Sequence, residues 1–239
     1  METFVASGVP RPYWRMISVV IPTLNSQAGL PRCFEGLLDA AMSGLAREVI
    51  VADGGSTDDT LFIADAAGAR IVEAPKGRST QLIKGADIAR SDWLLFLHAD
   101  TALEAGWEDE AISFIGTSTP EQPRAAAFRF ALDDFGPPAR RQEAAVAIRC
   151  WLFGLPYGDQ GLLIPARFYR KLGGYRPIAA MEDVDLIRRI GRKRLIMLQS
   201  RAISGARARP SVSRSLRNFG IAFLSALRVP TPYLARLGE

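Results

Sequence analysis

The stretch MISVVIPTLNSQAGLPRCFEGLLDAAMSGLAREVIVADGGSTDDT, residues 16–60, decides the fold. Ile17 to Ile21 is a short β-branched run that stops at Pro22-Thr23-Leu24-Asn25. Beyond Ser26 the apolar residues Leu30, Phe34, Leu37, Leu38, Ala41, Met42 and Leu45 recur at helical spacing, with Pro31 near the start and Gly44 near the end. Val49 to Ala52 is a second apolar run, and it too ends in a polar loop, Asp53-Gly54-Gly55-Ser56-Thr57-Asp58. Apolar strands alternating with amphipathic helices predict a parallel sheet covered on both faces.

The same rhythm continues outward. Thr57 with Asp58 and Asp59 opens a helix that Gly68 ends, Arg70 to Val72 reads as a strand, Ser79 to Ala89 as a helix and Trp93 to Leu97 as a fully buried strand. After residue 100 the pattern loosens into mixed α+β: helix from Glu104 to Ile115, strand from Ala125 to Leu132, helix from Pro138 to Phe153, strand from Leu162 to Ile164, helix from Met181 to Ile190 and strand from Leu195 to Leu198. The fold class expected is α/β, a Rossmann-like doubly wound mixed sheet with helices on both faces and a C-terminal helical extension. Residues 1–15 lack periodicity and hold two prolines, which suits a loose leader. The organisation expected is a leader over 1–15, one domain over 16–200 and a basic extension over 201–239.

Composition narrows the chemistry. The chain has 239 residues, 48% of them apolar, enough for a full core. Its net charge of +5 is unevenly placed: 187–239 hold 12 Lys or Arg against Glu239 alone, while 1–186 carry −6. Cys33 and Cys150 are too few for a disulfide framework or a CxxC metal site, and a reducing compartment is expected. His98 is the sole histidine, so HExxH and multi-histidine metal sites are excluded and acid–base work falls mainly to carboxylates. No apolar run reaches 18 residues, which predicts a cytoplasmic chain without a membrane-spanning helix. Neither a GxxxxGK[ST] loop nor a GxGxxG after the first strand is present.

Ligands of open α/β sheets bind beyond the carboxyl ends of the strands. Asp53, followed by two glycines, reads as a ligand contact for a base or ribose, whereas Asp58 and Asp59 read as helix-dipole partners. Asp100 stands just beyond a buried strand, where a carboxylate needs a cation or a donor; a divalent metal and a helix cap are the alternatives. Lys76-Gly77-Arg78 with Gln81 and Lys84 puts cations before a helix N-terminus, which suits phosphate. Glu182 and Asp183 open another helix, either as dipole partners or with one of them as a general base.

These strings together resemble the family-2-like inverting glycosyltransferases of the GT-A fold: SVVIPTLN at 18–25, VADGGSTDDT at 51–60, KGRSTQLIKGA at 76–86, LLFLHADT at 94–101, YGDQG at 157–161 and GGYRPIAAMEDVDL at 173–186. They run in the family's order, and the likeness is greatest to a small bacterial non-processive subgroup whose metal motif reads HAD. The resemblance implies a nucleotide-diphosphate sugar as donor, a hydroxyl acceptor and Mg²⁺ or Mn²⁺ as cofactor. It places Pro22, Thr23, Asn25 and Asp53 beside the nucleoside, Arg78 and Gln81 near the diphosphate, and Asp100 with His98 at the metal. It makes Asp183 of the Glu182-Asp183 pair the catalytic base and sets Gly158, Asp159 and Gln160 beside the donor sugar or acceptor. His98 replaces the first aspartate of the family's DxD motif, and the QxxRW motif of processive synthases is absent.

The tail from Ser211 groups Leu216, Phe219, Phe223, Leu224 and Leu227 on one helical face, with Arg214, Arg217 and Arg228 outside it. Two readings follow: an interfacial helix on the inner face of the plasma membrane, which a lipid-linked acceptor would favour, or a helix docked on the core. A basic nucleic-acid-binding module and a catalytically weak nucleotide-sugar-binding scaffold are the rival functions; a transferase needs no nucleic acid.

Overall fold

The computed structural model describes residues 16–134, 136–153, 156 and 158–205. The expected leader and all of the basic extension after Gly205 lie outside the described residues. The apolar runs form β1 (Ile17–Thr23), β2 (Ala46–Asp53), β3 (Arg70–Glu73) and β4 (Trp93–Phe96), and these lie parallel in the order β3-β2-β1-β4. Side chains alternate across the sheet: Ile17, Val19 and Ile21 enter one core layer with Leu30, Cys33, Trp107 and Phe128, while Val20 enters the other with Leu82, Ala86, Leu94 and Leu186. Both faces are therefore covered, as continuous apolar strands require.

The second half extends the same sheet with mixed direction. β5 (Thr101–Leu103), β6 (Ala125–Leu132), β7 (Leu162–Pro165) and β8 (Leu195–Ser204) complete an eight-stranded sheet in the order β3-β2-β1-β4-β7-β6-β8-β5. β7 runs antiparallel to β4 with Leu162 opposite Phe96. The start of β7 thus lies at the same edge as the end of β4, and the residues just before Leu162 face those just after Phe96.

The helices are α1 (Leu30–Glu35), α2 (Leu38–Met42), α3 (Thr60–Ala66), α4 (Arg78–Ile88), α5 (Trp107–Thr117), α6 (Pro137–Phe153), α7 (Ala166–Lys171) and α8 (Glu182–Ile190). The single helix expected between Leu30 and Leu45 is broken into α1 and α2. A Cβ on Gly36 would stand 2.7 Å from the Leu103 nitrogen, and the Gly36 carbonyl accepts the Trp107 indole N–H at 3.0 Å. Close approach to β5 and capture of that carbonyl interrupt the helical ladder, and Leu38 and Met42 end up exposed. β5 and α7 are additions to the expected elements, α5 starts three residues later than expected, and β8 runs on to Ser204, past the boundary at 200.

α4 lies flush on β1. A Cβ on Gly85 would meet Val20 Cγ1 at 2.4 Å, so glycine sets the height at which this helix rides. Its N-terminus, Arg78, consequently sits at the carboxyl edge of the parallel strands.

Candidate active site

The loops after β1 and β2 are bound to one another. Asp53, 3% exposed, accepts hydrogen bonds from Thr23 Oγ1 (2.9 Å), Gly55 N (2.8 Å), Ser56 N (2.7 Å) and Ser56 Oγ (2.5 Å). Four donors occupy the acceptor capacity of a carboxylate. Burial alone would raise its pKa, but the bonds from Ser56, Thr23 and Gly55 hold it below the ordinary aspartate value. The carboxylate expected to contact a base or ribose thus also builds the loop that carries it. Asn25, in the left-handed region at φ 51°, accepts the Thr57 N–H at 2.8 Å, and its own N–H donates to Ser56 Oγ at 2.9 Å. Asp58 accepts from Thr60 and Gln27, the local chemistry expected of it. Pro22, half-buried on β1, stands opposite Ala52.

Gln81 also braces these loops. It is buried, and its carboxamide N–H groups donate to the Thr23 and Ala52 carbonyls, tying the ends of β1 and β2 to α4. A diphosphate contact through that amide would break both bonds. Gln160 is also committed: its Nε2 donates to the Phe128 carbonyl at 3.0 Å, and its Oε1 accepts from Arg149 Nη2 and Cys150 Sγ, each at 3.3 Å. It joins β6, α6 and the 3-10 turn Gly158–Gln160.

The other expected residues form a charged cluster. Arg78 pairs with buried Glu182 at 3.6 Å. Its neighbour Ser79 donates to the Ile178 carbonyl at 2.9 Å, which fastens the start of α4 to the segment leading into α8. His98 is half-buried after β4; burial and then the Arg78 charge push its pKa down to about 3, so the ring is neutral at physiological pH. Asp159 lies three residues before the start of β7, opposite this loop. Burial pushes its pKa up to about 6, with Arg149 and Arg78 opposing and Asp183 and Asp100 adding to the rise. Its Oδ1 is buried without a hydrogen-bond partner. Glu182 is raised by burial and by Asp183, with Arg78 opposing.

Asp183 accepts a 3.1 Å hydrogen bond from Tyr175 Oη. The residue before the Glu182-Asp183 pair, Met181, has φ 65°. Asn25 and Met181 are the non-glycine residues at positive φ among the described residues, and both border this site. Through Asp159, the charges of Asp100, Asp183 and Arg78 act on one point, so strand ends far apart in sequence meet there.

Asp100 is exposed, and the backbone it belongs to presses on Gly29, where a Cβ would come within 2.9 Å of Asp100 Cα. No group of three or more His, Cys, Asp or Glu able to enclose a metal exists among the described residues. An exposed carboxylate two residues beyond a neutral imidazole in one loop offers few protein ligands, which fits a divalent ion that takes most of its ligands from a bound diphosphate and water. Reading the sequence missed Arg149 and Tyr175. Arg149 lies in a helix without a usable pattern, but Tyr175 stands in the quoted GGYRP turn and carried a signal.

Residues 18–120 match the model of glycosyl transferase family 2. A PGL/p-HBAD biosynthesis glycosyltransferase of Mycobacterium tuberculosis is 37% identical over 113 residues, 44% of this chain and 43% of that protein. A glucosyl-3-phosphoglycerate synthase of the same organism is 36% identical over 95 residues, 36% of this chain and 29% of that protein. The matched stretch thus spans less than half of these curated relatives. Among solved structures, glucosyl-3-phosphoglycerate synthase from M. tuberculosis with Mn²⁺, UDP and glucosyl-3-phosphoglycerate superposes with a TM-score of 0.60 at 23% identity, over 90% of this chain and 81% of that one. The same enzyme with Mn²⁺, UDP-glucose and phosphoglyceric acid gives 0.59. The mixed sheet with helices on both faces is the GT-A architecture.

Proposed function

We propose, for a chain whose residues 18–120 form a glycosyl transferase family 2 domain, that it moves a sugar from a nucleoside-diphosphate sugar to an acceptor hydroxyl with inversion. The observation that carries this reading is the cluster of Arg78, His98, Asp100, Asp159, Glu182 and Asp183 at the carboxyl edge of the strands, in which like charges crowd and a buried Asp159 oxygen has no hydrogen-bond partner. The braced β1 and β2 loops, with Pro22, Thr23 and Asn25, form the platform for the nucleoside. Asp53 and Gln81 act by holding that platform. Structures of this architecture with Mn²⁺ and UDP-glucose bound support the donor class and the metal.

Asp183, held by Tyr175, takes the proton of the acceptor hydroxyl as its oxygen attacks the anomeric carbon. Arg78 at the N-terminus of α4 faces the negative charge that develops on the leaving diphosphate. Asp100, with His98 beside it, would hold Mg²⁺ or Mn²⁺; the ion supplies charge neutralisation on the diphosphate. Glu182 keeps Arg78 in place, and Gly158 and Asp159 border the sugar. A single displacement inverts the anomeric centre.

The proposal extends to organisation: residues 16–204, through the end of β8, as the catalytic domain, and the basic segment after it, up to 239, as an attachment to the inner membrane face, suited to a lipid-linked acceptor. No helix among the described residues is long and apolar enough to cross a membrane. Transfer or hydrolysis of UDP-, GDP-, CDP- or dTDP-sugars with Mn²⁺ tests the main reading. Asp183→Asn is expected to lower the rate by about 10²–10⁴-fold with donor binding retained in a thermal-shift assay. Full activity in that variant refutes the base assignment. Binding of none of the four nucleotides refutes the donor class.

A further inference from the structure

Tyr175 is buried, yet its hydroxyl points at the carboxylate proposed as the base, Oη to Asp183 Oδ1 being 3.1 Å. The ring is held on three sides. Its own N–H donates to Tyr169 Oη at 3.0 Å. Its face meets Phe96 edge-on at 5.0 Å between centroids, and Tyr169 stands 5.9 Å away, itself 5.3 Å from Phe96. Gly174, at φ 60°, makes this possible: a Cβ there would stand 2.9 Å from Tyr169 Cζ. Phe96 ends β4, two residues before His98. One aromatic cluster thus underlies both the strand leading to the metal-side loop and the turn leading to the base.

We infer that Tyr175 is a positioning residue for Asp183, its phenol fixing the orientation in which the carboxylate meets the acceptor hydroxyl. This rests on the reading of Asp183 as the base. Three acidic groups crowd that carboxylate: Glu182 beside it on α8, Asp159 from the turn before β7, and Tyr175 itself; Arg78 on α4 faces the cluster through Glu182. Glu182 and Asp159, when charged, oppose ionisation of Asp183. A phenol donating to the carboxylate counteracts this. Burial and the neighbouring Asp183 charge raise the Tyr175 pKa well above its ordinary value, so the phenol remains a donor throughout the working range.

Tyr175→Phe removes the hydroxyl and keeps the packed ring. In the full chain with ¹³C-labelled aspartate carboxylates, the Asp183 signal, assigned by its loss in Asp183→Asn, is expected to titrate about one pH unit higher in Tyr175→Phe than in the parent. With UDP-glucose and Mn²⁺ as the probe pair, kcat for hydrolysis falls about tenfold, KM for the donor stays within about twofold, and the acid limb of the kcat profile moves to higher pH by about one unit. Tyr169→Phe, one contact further back, gives a smaller shift in the same direction. An unchanged Asp183 titration overturns the assignment, as does a fall in kcat with an unmoved acid limb. Failure of the underlying reading looks different: Asp183→Asn would then be as active as the parent, whereas an inactive Asp183→Asn beside a parent-like Tyr175→Phe refutes the role of Tyr175 alone.

Discussion

At the β1–β2 end of the crevice, the Asp53 carboxylate collects four donors and the Gln81 amide two acceptors, all from the chain itself. At the β4–β7 end, Asp159 keeps a buried oxygen with no donor, and the nearest cation to Glu182 stands at 3.6 Å. The first end is a finished scaffold. The second carries the desolvation cost of charged groups without full compensation, which is the state of a site organised for a ligand that brings its own charge and hydroxyls.

Substitutions at the two ends should therefore move stability in opposite directions. The largest effect expected is at Asp53. Asp53→Ala strips partners from buried Thr23 Oγ1 and from two backbone N–H groups, and urea denaturation should show a loss of about 2–4 kcal/mol. A loss below half a kcal/mol would mean that the carboxylate is held for a ligand after all. Gly85→Ala tests whether both ends depend on the height of α4, because that helix carries Gln81 and Arg78 together. Pushing it off Val20 should cost about 1–3 kcal/mol and weaken donor binding at the same time.

Asp159 should behave in the reverse sense. Its pKa is 3.8 in the unfolded chain and about 6 in the fold. Between these values the unfolded state has released the proton and the native state retains it, so stability falls as pH rises from about 4 to about 6 and stays reduced above that. Asp159→Asn should stabilise the protein at pH 8 by about 1–2 kcal/mol, flatten this part of the stability–pH curve and lower transfer activity. A destabilised variant at pH 8 would place Asp159 with the scaffold. The smallest effect on the free protein is expected at Asp100. Asp100→Asn should leave unliganded stability within about 0.5 kcal/mol and abolish the extra thermal stabilisation that Mn²⁺ gives in the presence of UDP.

Much of the candidate site was legible in the chain because strand ends are local features. Ile17–Ile21, Val49–Ala52 and Trp93–Leu97 are apolar runs that stop at polar loops, and the loops after parallel strands share one edge of the sheet. Other features were not legible. The apolar spacing from Leu30 to Leu45 fits one helix, but the Gly36 carbonyl meets the Trp107 indole 71 residues away, and that contact breaks it. β5 is three residues long and exists through its ladder with β8. Such elements are set by partners rather than by propensity.

The sequence by itself determined the parallel half of the sheet, the loops in which chemistry gathers, and the reliance on carboxylates that follows from a single histidine. These depend on residue type and short-range period, which each segment carries alone. Only the tertiary structure decided which polar residues are consumed and which are left open. Gln81 and Gln160 bond residues far away in sequence, and Thr23 adds a donor from β1 to the local Gly55 and Ser56 donors of Asp53, whereas a buried Asp159 oxygen has no partner. Where such bonds come from distant segments, hydrogen-bond satisfaction is a property of neighbours in space.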